Sequence, residues 1–389
     1  MKKNYLIFVT LILISFNSLA QTYVFQFRPW ESREWGYMNI NGEIIIEPQH
    51  RKCYDFSERG LALVYYSRRN HYDIINLNNE VLDVEPEKFI VKEGFGYGAQ
   101  GYSSGMLAIR IKTRWGAIDK DGKVIVPVKY DFISKFIDGF ATARLKDEFY
   151  VIDSLGNEIQ INENDIIKIS KFFEDRSLFT TKKELMGFIN SQGEVVIPAK
   201  YKKVGYFNAG VAWARDVDGK IGFINKNGEW IIEPKFLAVK DFDPASQLAK
   251  ARVDKFWGYI NKKGEWVIEP KFLAVRDFDP VSQIAKARVN ETWGYINKKG
   301  EIRYVENMKK IYDYSEGLAM AVTLDVLFGF LDENQNWIIR PQFEAARDFK
   351  NGYAAAKLDG KWGIIDKSGK WVIEPKYSGI KDVVKVSKQ

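Results

Sequence analysis

The sequence is poor in the residues that most often build a catalytic or metal site. Its 389 residues include one cysteine, Cys53, and two histidines, His50 and His71. A single cysteine excludes an intrachain disulfide, and two histidines leave little material for a histidine-based triad or a zinc cluster. We therefore expect a protein that is not an enzyme and that has no cofactor and no metal site.

Helical periodicity and long apolar runs are also missing. No segment repeats its apolar residues at helical spacing, and no apolar run after residue 20 is long enough to span a bilayer. The formal net charge of +7 falls to +5 when Lys2 and Lys3 are removed, and it is spread along the chain. Nucleic-acid binding needs a concentrated basic stripe. We expect no membrane span in the mature chain and no nucleic-acid partner.

The first 20 residues, MKKNYLIFVTLILISFNSLA, have the pattern of a secretory signal peptide. A basic start precedes an apolar run over residues 5–16, and small residues occupy the two positions that a signal peptidase reads. We expect cleavage before Gln21. The protein would then be exported to the periplasm, the cell surface or the extracellular medium.

A short strand motif centred on Trp-Gly recurs along the rest of the chain. Residues 221–256 and 257–292 are identical at 26 of 36 positions, which shows a duplication. Ten copies are recognisable, and an insertion at residues 94–105 lengthens one of the intervals. The copies begin near residues 35, 72, 115, 149, 186, 221, 257, 293, 328 and 362.

Each repeat reads as three short strands, exemplified by QLAKARV (247–253), WGYIN (257–261) and EWVIEP (265–270). The turn between the last two ends in Gly264, where positive φ is expected. The third strand is predicted to stop at Pro270, because proline cannot donate a ladder hydrogen bond. Trp257 is replaced by other bulky residues elsewhere, which predicts packing, and the neighbouring glycine predicts a close backbone approach.

The third strand is apolar on both faces, as in Trp266-Val267-Ile268, so both faces are predicted to be covered. One small sheet cannot cover itself, and neighbouring repeats must therefore stack face to face. Ala249 and Ala251 lie on one face of the first strand, where small side chains would allow the next sheet to approach closely.

These features predict an all-β protein in which residues 21–380 form a tandem array of about ten short antiparallel β-meanders. The meanders would stack as an open superhelical or propeller-like repeat structure, and residues 381–389 would be a C-terminal tail. Because propellers usually close with four to eight blades, ten units favour the open array.

The Trp-Gly pair at hairpin spacing, followed by the pattern G-x-x-x-I-x-P, resembles the bacterial WG-repeat family, also called KWG repeats. The resemblance covers residues 22–380. It implies a tandem β-rich array that is often exported, has no common enzymatic activity and serves in binding. The units at Tyr72-Asp73 and Phe149-Tyr150 lack both Trp and Gly, so these two are expected to be distorted.

Candidate ligand-binding residues lie on the first strand of the repeat. Trp213 lies opposite the alanine pair, where other repeats carry Lys250 and Lys286, and it could contact a partner if that face is open. A basic residue follows the alanine pair in five repeats, namely Arg144, Arg215, Arg252, Arg288 and Lys357. This row could bind an acidic partner, or it could pair with acids of the same period. Those acids are Asp241, Asp277, Asp348, Glu233, Glu269 and Glu374.

The expected function is that of an exported, non-enzymatic repeat protein whose long surface binds a protein or peptide partner. A carbohydrate or cell-envelope polymer is the alternative ligand. A hydrolase with a site at the irregular repeats, residues 72–185, is a further alternative, although the recurrent acids follow the repeat and therefore indicate scaffold.

Overall fold

The computed structural model describes residues 21–66, 71–84, 88–91, 93–94, 98–99, 101–163 and 165–387. The predicted signal peptide, residues 1–20, lies outside the described residues, as does part of the 94–105 insertion. Within these ranges every regular element is a β-strand, and no helix there could cross a membrane.

The strands form ten small antiparallel sheets, one for each predicted repeat, and these are the blades of a ten-bladed β-propeller. Blade 1 contains β1 (Gln21–Arg28), β2 (Trp35–Asn39), β3 (Ile44–His50), β40 (Gly379–Ile380) and β41 (Val384–Ser387). Blade 2 contains β4 (Lys52–Cys53), β5 (Leu61–Tyr66) and β6 (His71–Asn76), and a ribbon of β7 (Glu93–Gly94) and β8 (Gly98–Ala99) follows it. Blade 3 contains β9 (Met106–Ile111), β10 (Arg114–Asp119) and β11 (Val124–Tyr130).

The next three blades each have four strands. Blade 4 contains β12 (Phe132–Ile133), β13 (Phe140–Leu145), β14 (Glu148–Asp153) and β15 (Glu158–Gln160). Blade 5 contains β16 (Ile166–Phe173), β17 (Arg176–Thr181), β18 (Met186–Ile189) and β19 (Val195–Tyr201). Blade 6 contains β20 (Lys203–Val204), β21 (Ala212–Arg215), β22 (Ile221–Ile224) and β23 (Trp230–Phe236).

The last four blades follow the same plan. Blade 7 contains β24 (Ala238–Val239), β25 (Ala249–Val253), β26 (Phe256–Ile260) and β27 (Trp266–Phe272). Blade 8 contains β28 (Ala274–Val275), β29 (Ala285–Val289), β30 (Thr292–Ile296) and β31 (Ile302–Arg303). Blade 9 contains β32 (Met308–Ser315), β33 (Leu318–Thr323), β34 (Phe328–Leu331) and β35 (Trp337–Phe343). Blade 10 contains β36 (Ala345–Ala346), β37 (Tyr353–Leu358), β38 (Lys361–Asp366) and β39 (Trp371–Tyr377).

The two ends of the chain meet in blade 1 and close the ring. Strand β1 pairs antiparallel with β41, from Gln21 opposite Ser387 to Val24 opposite Val384, and with β40. Of the two arrangements that the sequence left open, the chain therefore forms the closed propeller and not the open array. The first repeat has no preceding repeat to supply its edge strand, and the C-terminal residues supply it. Residues 384–387, which the sequence assigned to a tail, complete the blade.

Most blades have one more strand than the three predicted. In blade 8 the two residues of β28 pair with β29, with Ala274 opposite Arg288 and Val275 opposite Ala287. We name the four strands of a blade a, b, c and d in chain order, so that the predicted first, second and third strands are b, c and d. In most blades the a strand has two residues, too few to show a period, which is why it has no sequence signal there. In blades 5 and 9 the a strands, β16 and β32, have eight residues each and were missed as well.

Burial orients the blade in the ring. In blade 7 the b-strand residues Ala249 and Ala251 are fully buried, whereas the d strand exposes several of its residues. Because ten sheets converge on one axis, the small buried residues belong at the narrow inner end and the exposed strand at the rim. The a strand is therefore innermost and the d strand outermost.

The proline of the motif lies inside the d strand, at a bulge, and the prediction that the strand stops there is wrong. Trp257 lies opposite Phe272 and Tyr259 lies opposite Ile268, so the d strand gains extra residues around Pro270. The bulge presses against the glycine of the Trp-Gly pair, since a Cβ on Gly258 would lie 2.8 Å from Pro270 N. The predicted close backbone approach is confirmed.

The predicted turn between c and d strands is also confirmed. Gly264 has a φ of 77°, a conformation that glycine adopts without steric cost. The Asn261 side-chain oxygen accepts hydrogen bonds from the backbone N–H groups of Lys263 and Glu265. Asparagine thus holds the turn from its first position.

Neighbouring blades pack as the paired alanines predicted. Ala249 and Ala251 of blade 7 belong to one buried cluster with Phe236 of blade 6. On the other side of blade 7, the Tyr259 hydroxyl donates a hydrogen bond of 2.6 Å to the Arg276 carbonyl of blade 8. Close packing thus joins neighbouring blades, and a tyrosine hydrogen bond of this kind is also made by Tyr37 in blade 1 and Tyr295 in blade 8.

Coverage of the d strand is less complete than predicted. Ile268 is buried and Trp266 is half-buried, but Val267 is 41% exposed. The prediction that both faces are covered is wrong at this position, because the rim of a ring is wider than its centre. Glu269 and Lys271 are exposed beside Pro270, and charges with a proline oppose pairing of this edge with another sheet.

Candidate functional site

The two ends of the propeller carry different turns. In blade 7 the b–c turn, residues 253–256, lies at the same end as Phe272, which is opposite Trp257 and closes the d strand. The c–d turn, residues 261–264, lies at the other end. We call the end with the b–c turns and the d-to-a connections the upper face, and the opposite end the lower face.

We call the space between two adjacent blades a cleft. Lys250 on the b strand of blade 7 reaches across such a cleft, and its Nζ lies 2.5 Å from the carboxylate of Asp277 in blade 8. Lys286 makes the corresponding ion pair with Asp313 of blade 9, at 3.3 Å. The lysines are largely buried and the aspartates are mostly exposed, so these pairs form the polar lining of the clefts.

The basic row predicted from the sequence lies on the same b strands, two residues closer to the upper face than the lysines. The Arg252 guanidinium is 5.6 Å from the centre of the Trp257 ring, and Arg288 is 5.8 Å from Trp293. Each pair faces across adjacent strands, because Arg252 is opposite Trp257 in the b–c register. Cation–π contact therefore holds these guanidinium groups in place.

The predicted pairing of the row with acids of the same period is not seen within the described ranges. Lys357 Nζ instead lies 3.6 Å from Glu344, which is not one of the predicted acids, and Arg215 donates to the Gly219 carbonyl at 3.0 Å. Among the described residues, Arg144, Arg252 and Arg288 have no carboxylate within ion-pair distance. Their guanidinium groups keep hydrogen-bonding capacity that the protein does not use.

Two further members of the basic row were missed. Arg28 lies 5.1 Å from the ring of Trp35, and Arg110 lies 5.5 Å from the ring of Trp115. Both occupy the same position of the b strand as Arg252. The alanine pair was the marker for this position, and neither strand has one. Both could have been found from the Trp-Gly pair, because the basic residue lies on the b strand opposite the tryptophan, a few residues before it in the chain.

Trp213 is a packing residue in this structure. It is half-buried, its indole covers Gly205, and it hydrogen-bonds to the Asp241 carboxylate. Trp213 therefore has in blade 6 the b-strand position that Lys250 has in blade 7. Like Lys250, it contacts an aspartate of the next blade. Burial raises the pKa of Asp241, and the indole hydrogen bond acts in the opposite direction. The exposed tryptophan is Trp30, which is 59% exposed on the upper face.

Exposed apolar side chains accompany the basic row on the upper face. Val217 and Leu324 protrude from the b–c turns of blades 6 and 9 and are 76% and 65% exposed. Val253, beside Arg252, and Leu237, on the connection into blade 7, are exposed as well. Blades 6 to 9 thus present apolar and cationic groups together, a combination typical of protein-binding surfaces.

The residues considered for catalysis or metal binding include the two histidines. His71 Nε2 lies 3.1 Å from Asp73, and burial lowers the pKa of His50. In the part of the chain that the structure describes, no three His, Cys, Asp or Glu side chains come together as a metal site. The irregular repeats within residues 72–185 form blades 2 to 5 of the ring.

The fold and the clefts define the class of protein, a closed β-propeller of tandem repeats with a mixed apolar and basic face. A family model described as WG containing repeat matches more than half of the chain, and the protein belongs to this family. The matched residues are 35–66, 115–148, 186–220, 221–255, 257–292, 328–362 and 362–385. No curated protein matches the chain in sequence.

Solved structures resemble this chain to different degrees. A eukaryotic initiation factor has a TM-score of 0.52 at 8% identity, over 94% of this chain and 98% of that one. The computationally designed Ika8 protein has a TM-score of 0.34 at 11% identity, over 70% and 93%. BamB from Moraxella catarrhalis has a TM-score of 0.33 at 9% identity, over 69% and 93%. At these identities the first similarity shows the fold alone, and the other two carry no argument.

Proposed function

We propose that the protein is an exported, non-enzymatic scaffold that binds a protein or peptide partner on its upper face. The observation that carries this proposal is the meeting of exposed apolar side chains with arginines that have no acidic partner. Arg252 and Val253 are adjacent, and Leu237 hydrogen-bonds through its backbone N–H to the Arg252 carbonyl at 3.0 Å. A partner with acidic and apolar groups fits this surface.

Arginine is suited to this task because its guanidinium presents several donors in a fixed plane. Arg252 and Arg288 are held by their tryptophans, so little side-chain entropy remains to be lost when they bind a carboxylate. Their position one repeat apart would let an extended peptide contact both. The apolar residues would supply most of the buried area.

A pull-down from envelope fractions tests the proposal, with the purified chain as bait and quantitative mass spectrometry as readout. The proteins recovered by the wild type should be lost with Val217→Asp plus Val253→Asp, and reduced with Arg252→Ala plus Arg288→Ala. Recovery should also fall as salt rises. Leu155→Asp is the matched control, since Leu155 is 80% exposed on the lower face.

Equal recovery by all variants would contradict the proposal, and so would loss with the Leu155 control. Binding on a glycan array by the wild type, retained by the upper-face variants, would favour an envelope polymer as the alternative ligand. Hydrolysis of a substrate by the purified chain would favour the alternative of an enzyme with its site in blades 2 to 5.

A further inference from the structure

The cleft between blades 1 and 2 widens into a cavity of about 370 Å³. This volume lies at the lower end of the range of small-molecule sites. Trp35, Arg51, Lys52, Asp55 and Lys381 are among its lining residues. The cavity lies beside the closure of the ring, where both ends of the chain contribute to one blade.

The basic groups of this cavity come from two parts of the repeat. Arg51 and Lys52 occupy positions that are basic in blade 6, as Lys202 and Lys203, but apolar in blade 8, as Leu273 and Ala274, so the repeat does not fix their charge. Lys381 is exposed and occupies the repeat position of Arg276. Its ammonium lies 5.3 Å from the centre of the Trp35 ring, as the Arg276 guanidinium lies 5.7 Å from Trp293.

The acidic groups of the cavity are already engaged. Asp382 accepts hydrogen bonds from Lys350 at 2.5 Å and from Arg347 at 3.2 Å. Asp55 accepts a hydrogen bond of 2.6 Å from the buried side chain of Gln26. Arg51 and Lys381 have no carboxylate within ion-pair distance among the residues that the structure describes. The charge of the cavity that is available to a ligand is therefore positive.

We propose that this cavity binds an acidic sugar, a hydroxylated ring of monosaccharide size with one carboxylate. Arg51 and Lys381 would bind the carboxylate, and the Trp35 ring would provide an apolar wall for one face of the sugar. Asp55 keeps acceptor capacity for hydroxyl donors after its hydrogen bond from Gln26.

A carboxylate fits better than a phosphate because of the two aspartates. Asp55 is largely buried, and burial raises the pKa of this carboxyl, with Asp382 raising it further. A dianionic phosphate would bring a second negative charge close to these carboxylates, and like charges repel more strongly away from water. A monoanion would gain the attraction of the cations with less repulsion.

Isothermal titration calorimetry of the purified protein with D-glucuronate, D-glucose and glucose 6-phosphate tests this proposal. Glucuronate should bind, glucose should give no measurable binding, and glucose 6-phosphate should bind more weakly than glucuronate. Arg51→Gln and Lys381→Gln should each weaken glucuronate binding about ten-fold, which is the loss of one charge-assisted contact. Both residues are exposed, so both variants should fold.

Lys123→Gln makes the same change of charge at an exposed lysine on the lower face and should bind glucuronate like the wild type. The proposal is overturned if glucuronate does not bind, if glucose binds as well as glucuronate, or if both cavity variants bind like the wild type. Tighter binding of glucose 6-phosphate would overturn the choice of a carboxylate. Because the cavity and the surface of blades 6 to 9 use different residues, either proposal can fail alone.

Discussion

Deleting the last strand is the most direct test of the closed ring. A chain that ends at Val383 loses β41 and its four residue pairs with β1. Val386 is fully buried, and burying a valine side chain contributes about 1.5–3 kcal/mol. A ladder of four antiparallel residue pairs makes about four hydrogen bonds, which contribute about 1 kcal/mol each. Together with the valine they amount to about 5–7 kcal/mol, which is comparable with the entire stability of many domains at about 5–15 kcal/mol.

Urea unfolding followed by circular dichroism measures this loss, and small-angle X-ray scattering measures whether the ring opens. The point variant Val386→Ala should lower the free energy of unfolding by about 2 kcal/mol, since it removes two methyl groups and leaves a cavity. Val217→Ala, at an exposed position, should change it by less than about 0.5 kcal/mol. If the truncated chain kept the wild-type midpoint and radius of gyration, the reasoning about closure would be refuted.

Two further predictions follow from the repeat and from the lone cysteine. Gly258→Ala should lower the free energy of unfolding by about 1–3 kcal/mol, because the added Cβ would crowd Pro270 N. Gly101→Ala should have little effect in the same urea titration, because no atom of the described residues lies within 4 Å of its added Cβ. Equal effects at the two glycines would contradict the close approach. Burial raises the pKa of the Cys53 thiol to about 12, so it should react slowly with Ellman's reagent at pH 8 until urea unfolds the chain; fast reaction in the native state would disprove this.

The sequence predicted the features that one repeat contains within itself. Gly264 needs only its own turn, and the alanine pair at 249 and 251 needs only the face of one strand. Such local signals recur ten times, and repetition separates them from chance. This is why the number of blades, the c–d turns and the stacking of neighbouring sheets were all predicted.

Features that depend on distant residues were not predicted. The pairing of Gln21 with Ser387 joins the two ends of the chain and leaves no local pattern in either. The a strand has only two residues in most blades, which is too short for any periodicity. The partner of the basic row also differs from the recurrent acids predicted, because of the cross-strand register. A short turn joins the strands of Arg252 and Trp257 and places the two residues opposite each other, so the indole contacts the guanidinium.

The cavity between blades 1 and 2 shows how one repeated backbone can build different sites. Lys250 and Gln26 occupy the same position of the b strand, and each is linked to an aspartate of the next blade, Asp277 or Asp55. Glutamine is the shorter side chain, so the same link leaves space that lysine would fill. The links between blades therefore hold the ring together. The length of the side chain that makes each link determines how much free volume remains in the cleft. Binding sites should then be sought where the linking residue is small and exposed cations such as Arg51 line the space that it leaves.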